Sequence, residues 1–96
     1  MRLQILNEAE EDLLQGFRFY EKQRSGLGDY FLDALYSDID SLHLFAGMHP
    51  WYFGFQRLLS KRFPFAIYYR IDKELVRIHA VLDCRQDPRK IEDRLR

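Results

Sequence analysis

His79, Tyr68 and a set of arginines are the residues of this chain whose types could do chemistry together. Cutting an RNA phosphodiester without a metal needs three things. A base takes the 2′-hydroxyl proton, cations hold the charge developing on the phosphate, and an acid protonates the leaving oxygen. His79 could serve as the base, Arg57, Arg77 and Arg85 as the cations, and Tyr68 as a weak acid. Without catalysis, the same residue types suit contact with phosphates or an acidic protein. Ordinary solvated surface residues would also read this way.

Other chemistries find less support. Gly26 and Gly28 lack a following Lys-Ser/Thr and come after a helix, so they do not form a phosphate-cradling loop. His43, His49 and His79 do not have the spacing of a structural zinc site. No metal and no cofactor are therefore expected. Cys84 has Asp83 beside it, which would raise the thiol pKa, so it reads as a small buried residue and not as a nucleophile. The aromatic run His49-Pro50-Trp51-Tyr52-Phe53 reads as packing between core and loop.

The elements that must position these groups follow from periodicity. Leu3 and Ile5 alternate with Arg2 and Gln4, as in a short strand. Asn7 with Glu10 three residues on suggests a capping box, and Ala9, Leu13, Phe17 and Tyr20 predict an amphipathic helix over 8–24. Ser25-Gly26-Leu27-Gly28 ends it. A second helical pattern runs through Phe31, Leu35, Ile39, Leu42 and Phe45 and is closed by Gly47 and Pro50. The short connector predicts an antiparallel helix hairpin.

Strands are expected at 53–59, 62–71 and 75–83, with Ser60-Lys61 and Asp72-Lys73 as two-residue turns. That register puts Arg57 opposite Pro64, Tyr68 opposite Arg77 and Ala66 opposite His79. One sheet face then holds Phe63, Phe65, Ile67, Tyr69, Val76, Ile78, Ala80 and Leu82 for the helices to cover. The other, open face carries Arg57, Tyr68, Arg70, Arg77 and His79. In the tail, Asp87 can cap a short helix with Pro88 in its first position, docked by Ile91 and Leu95. Arg85, Arg89 and Lys90 add charge beside the strand ends. The expected architecture is α+β: an N-terminal strand, a helix hairpin on one face of an antiparallel sheet, and a short C-terminal helix.

Composition sets the outer bounds. The chain has 96 residues with 15 Lys+Arg and 15 Asp+Glu, which fits a single domain over 1–96. A formal charge of zero argues against a nucleic-acid binder. The average hides an asymmetry, though. Residues 1–53 hold four basic against nine acidic residues, a net of −5, and residues 54–96 hold eleven against six, a net of +5. The basic half is the expected interaction surface. With Cys84 the only cysteine, no apolar signal core at the start and no run of about 20 apolar residues, a cytoplasmic protein away from membranes is expected.

Several segments together resemble the RelE/ParE family of toxins from type II toxin–antitoxin modules. Ala9 with Glu11-Asp12-Leu13 is similar to the family's opening helix. Tyr20-Glu21, Gly26-Leu27-Gly28 and Phe31-Leu32 resemble its inter-helix connection. Arg62-Phe63-Pro64-Phe65-Ala66-Ile67-Tyr68-Tyr69 is the most specific match, and Ile78-His79-Ala80-Val81-Leu82 with Arg85 and Asp87-Pro88 resembles the family's ending. The likeness implies one of two activities: poisoning of DNA gyrase in the ParE manner, or cleavage of mRNA in the ribosome in the RelE manner. The tail after Arg85 has no Tyr, His or Phe, and the glycine-flanked connector looks closer to the ParE side. The resemblance thus implies a gyrase inhibitor that is not itself an enzyme. The alternative is an endoribonuclease using Arg57, Arg77, His79 and Arg85. Asp83-Cys84 and Gln86 stand where relatives often carry His and a second Arg, so an inactive homologue that only binds its antitoxin is a further alternative. In each case a small antitoxin with an acidic C-terminal segment is the implied partner, meeting Arg57, Tyr68, Arg70, Arg77, Arg85 and Arg89. Direct sequence-specific DNA binding by this chain is not implied.

Overall fold

The computed structural model describes residues 1–96. In chain order the elements are β1 (Arg2–Ile5), α1 (Asn7–Gln23), α2 (Leu27–Asp40), α3 (Leu42–Phe45), β2 (Trp51–Tyr52), β3 (Phe55–Leu59), β4 (Phe65–Asp72), β5 (Leu75–Asp83) and α4 (Pro88–Leu95). The strands form one sheet in the order β1-β5-β4-β3-β2. The α+β class, the helix pair on one face and the C-terminal helix are as the sequence predicts. One strand differs: β1 runs parallel to β5, from Arg2 opposite Leu75 to Ile5 opposite Ile78, so the sheet is mixed. Parallel neighbours need a long crossover, and everything from α1 to β4 provides it.

The helices begin and end for local reasons. Leu6 still donates its N–H to the Ile78 carbonyl at 3.0 Å, so the chain is extended up to Leu6 and α1 starts directly after it. Asn7 is therefore inside the helix, and the expected capping box does not form. At the connector, Gly26 takes φ 89°, a left-handed conformation open to glycine at little cost. The Glu21 carboxylate accepts from the N–H groups of Gly26 (3.1 Å) and Gly28 (2.9 Å), capping α2 from the preceding helix. The single helix expected through Phe45 divides at Ser41, whose hydroxyl donates back to the Asp38 carbonyl at 2.6 Å. Gly16 lets the helices approach closely: a Cβ there would lie 2.4 Å from the Phe31 ring.

The first core lies between this helix pair and the sheet. It contains Ala9, Leu13, Phe31, Leu35, Ile39 and Leu42 from the helices, with Ile67, Tyr69, Val76, Ile78 and Val81 from the strands.

Both hairpin registers differ from expectation. The β3–β4 connection is five residues long, Ser60–Pro64, so Leu59 pairs with Ala66 and Arg57 with Tyr68. A tight turn loses because Phe63 folds inward, its ring 4.9 Å from Tyr20 and 5.1 Å from Phe31. Asp38 holds the loop's start, accepting from the Ser60 hydroxyl at 2.6 Å. The second turn is Lys73-Glu74, with Lys73 at φ 58°, which places Arg70 opposite Arg77 and Tyr69 opposite Ile78.

Beyond that pair the ladder slips. Tyr68 faces Ala80, leaving His79 as the extra residue of a β-bulge. A bulge reverses the alternation, so Val81 points to the helices while Ala80 and Leu82 turn to the opposite face. There they meet Phe55, Ala66 and Tyr68, and α4 covers them with Ile91 and Leu95. The expected single apolar face is thus two half-faces on opposite sides of the sheet. Asp87 caps α4 by accepting from Arg89 N–H at 2.9 Å, with Pro88 in the first turn, as the sequence predicts.

Candidate functional site

The face of the sheet away from α1 and α2 divides into a covered zone and an open one. The covered zone lies under α4. Tyr68, read from the sequence as part of the open face, is only 2% exposed there. Burial raises the pKa of its phenol first and foremost, with Cys84 adding and Arg57 opposing. A buried phenol of this kind cannot present an acid to a phosphate leaving group or a side chain to a partner.

The open zone carries Arg70, Arg77 and His79. Two arginines directly opposite one another repel, and each finds a different outlet. Arg70 lies over the Phe55 ring at 3.9 Å from its centroid and donates to the Gly54 carbonyl at 3.1 Å. Arg77 leans the other way, donating to Gln4 Oε1 at 3.3 Å and pairing with Asp72 at 3.5 Å. The His79 imidazole meets the edge of the same Phe55 ring, with centroids 4.9 Å apart. Its pKa is lowered by burial first, then by Arg70 and Arg77, with Glu8 opposing. Burial and the two cations thus disfavour the protonated form of His79.

Arg57 stands at the border of the two zones. Its guanidinium stacks on the Tyr52 ring at 3.7 Å, and its Nε is buried without a hydrogen-bond partner.

Arg85 is elsewhere. It grips Asp83 with two bonds, Nε to Oδ1 at 3.0 Å and Nη2 to Oδ2 at 2.8 Å. Asp83 sits opposite Phe65, on the helix-covered side, where Arg85 also neighbours Tyr20. Of the four residues that a ribonuclease would use, Arg57, Arg77 and His79 thus share a face, and Arg85 lies across the sheet with its charge already matched. Arg89 is exposed and only loosely paired, 3.8 Å from Asp87. No three His, Cys, Asp or Glu side chains converge as metal ligands would.

Some neighbouring residues carry no local signal in the sequence. Arg94 reaches across to α1 and donates to both carboxylate oxygens of Asp12, at 2.6 and 2.7 Å. Asp12 also accepts from the Val81 N–H at 2.9 Å, just past the bulge, where β5 has no strand on its outer edge. A cavity of about 350 Å³ opens beside this network between α1, α4 and the end of β5, lined by Gln15, Phe19, Asp83 and Lys90 among others. The aromatic run at 49–53 also departs from its expected packing role. His49 meets the Tyr69 hydroxyl, but Trp51 and Phe53 face outward.

No helix is long and apolar enough to cross a membrane. No protein-family model matches the chain, and no curated protein matches it. Among solved structures, a chain of the chromosomal ParDE TA (toxin–antitoxin) system from P. aeruginosa superimposes with a TM-score of 0.77 at 19% sequence identity. The match covers 84% of this chain and 92% of that one, so the two share one fold over nearly their whole length.

Proposed function

We propose that this chain is the toxin component of a type II toxin–antitoxin module, acting in the ParE manner by binding DNA gyrase and held in check by an antitoxin. The observation that carries the reading is the fold shared with the ParDE chain at a TM-score of 0.77. The site geometry favours action by binding over catalysis. The acid of the RNA-cleaving set, Tyr68, is buried under α4, and Arg85 is matched to Asp83 on the other side of the sheet. What is left is a cationic surface of Arg57, Arg70, Arg77 and Arg89, suited to an acidic antitoxin segment that orders as it binds. Such binding would also stabilise a fold of this size by mass action.

The ribonuclease reading keeps one favourable observation, His79 on the same sheet face as Arg70 and Arg77. One experiment separates them. Purified protein is added to a gyrase supercoiling reaction and to a translating extract whose mRNA is mapped by primer extension. Lost supercoiling with intact mRNA is the expected result. Codon-phased cuts that vanish with His79→Ala would overturn it in favour of the nuclease. No effect in either assay, with tight binding to the product of an adjacent small reading frame, would make the chain an inactive antitoxin-binding homologue.

A further inference from the structure

Tyr69 is fully buried, yet its side chain ends in a hydroxyl that must find partners. It has two. Gly47, turned left-handed at φ 95°, donates its N–H to the hydroxyl at 3.0 Å, and His49 Nδ1 meets the same oxygen. A phenol has one proton to give and lone pairs to receive. Gly47 N–H can only donate, so the phenol proton is the one left for His49. His49 Nδ1 is then the bare, accepting nitrogen, and the neutral ring carries its proton on Nε2. The opposite assignment would leave the phenol proton buried without an acceptor.

Protonating His49 imposes that opposite assignment, because both nitrogens of an imidazolium are donors. Gly47 N–H, His49 Nδ1–H and the phenol's own proton would then converge on one oxygen. Burial raises the pKa of the phenol, with Gly47 N–H opposing, so Tyr69 keeps its proton. Tyr69 has no route to solvent, whereas His49 is only half-buried and can turn to water. No neighbouring charge offsets this. Residues 41–56 contain no Lys, Arg, Asp or Glu, and burial alone lowers the pKa of His49. The sheet sets Tyr69 and the uncharged Gln56 against it, while Arg57 and Arg70 of the same strands lie on the opposite face. His43, the other titratable group of the segment, meets the Met1 carbonyl at 2.8 Å.

The loop that His49 fixes seats the edge of the sheet. The His49 carbonyl accepts from Gln56 Nε2 at 3.0 Å, and the Pro50 carbonyl accepts from Arg57 N–H at 2.9 Å. The next residues form β2, whose pairing is short: Trp51 opposite Gln56 and Tyr52 opposite Phe55. Tyr52 in turn is the ring on which the Arg57 guanidinium rests. We propose that His49 and Tyr69 form a proton-operated latch, which seats residues 46–52 on the sheet while His49 is neutral and releases them when it is protonated. Release also frees the ring beneath Arg57, so one edge of the cationic face answers to pH. The latch operates whichever target the chain acts on.

The test uses the full chain labelled with ¹⁵N, titrated from about pH 7.5 to about pH 5. The His49 ring nitrogens, the protection of the Gly47 amide and the emission of Trp51, the only tryptophan, are followed together. At the upper end His49 should carry its proton on Nε2. Its midpoint should lie below the ordinary value of about 6.5. Gly47 protection, corrected for intrinsic exchange, should fall at least about tenfold with that same midpoint. Trp51 emission should change in step. His49→Asn keeps an acceptor but cannot take up the proton, so both signals should stay flat while His79 still titrates. A proton on Nδ1 at the upper end overturns the proposal, as does a His49 that stays neutral down to the lower end. Gly47 and Trp51 signals that ignore the titration of His49 overturn it equally, and so does a release that persists in His49→Asn.

Discussion

Replacing Asp12 with Ala tests whether one carboxylate joins the first helix, the bulged strand and the C-terminal helix. Asp12 is 8% exposed, and its two oxygens take both Arg94 contacts and the Val81 N–H. Removing it leaves the Val81 N–H buried without an acceptor, at about 1–3 kcal/mol. Losing one partner of a fully buried pair costs about 3–5 kcal/mol. Arg94 keeps 27% of its side chain in solvent and still reaches Glu8, so most of that second cost is relieved. The expected loss is about 3 kcal/mol, a large part of the ~5–15 kcal/mol that a domain has. Urea unfolding followed by circular dichroism measures it. Asp12→Asn, which keeps an acceptor for Val81, should lose less. Arg94→Ala should cost a comparable amount because it strands Asp12. The double variant should cost less than the two singles added, by at least about 1 kcal/mol. If α4 opens as a unit, Asp12→Ala should also speed amide exchange over Ile91–Leu95 by about a hundredfold, at tenfold per 1.4 kcal/mol. A loss below about 1 kcal/mol, or strict additivity in the cycle, would refute the reasoning and reduce the network to a surface ion pair.

Gly16→Ala forces a Cβ to within 2.4 Å of the Phe31 ring, and should cost about 1–3 kcal/mol by overpacking in the same urea assay. Glu21→Ala removes the acceptor for Gly26 and Gly28 N–H and should cost about 1 kcal/mol, with Glu21→Gln milder; an unchanged midpoint would mean water caps α2 equally well. Burial lowers the pKa of His79, with Arg70 and Arg77 adding to it, and burial also lowers that of His49. The unfolded chain therefore binds more protons below the ordinary histidine value of about 6.5. Stability should be full above that pH and fall as pH drops through the window beneath it. Urea midpoints taken from about pH 7.5 down to about pH 5 should decline less steeply in His79→Gln than in the parent chain; equal slopes would place the effect elsewhere.

The parts of this molecule that could be read from its sequence are those set by local rules of spacing. Ala9, Leu13 and Tyr20 line the core as their periodicity predicts, Asp87 and Pro88 start the last helix, and the basic half forms most of the cationic face. Both hairpin registers differ from those that two-residue turns predict, yet the arginines keep their face. The reason is parity. The first pairing moves by four residues and the second by two, and an even shift leaves every side chain on its own side of the sheet.

An odd change has a different effect, and the bulge at His79 is one. It carries Ala80 and Leu82 to the outer face, which then becomes apolar enough to need a cover. Ile91 and Leu95, four apart, announced that the tail would dock, but their spacing says nothing about which face it would choose. That choice rests on Arg94 and Asp12, 82 residues apart in the chain, joined by the same carboxylate that holds the strand beyond its bulge. That distant pair, together with the packing of Ile91 and Leu95, holds α4 over Tyr68 while Arg70, Arg77 and His79 stay open.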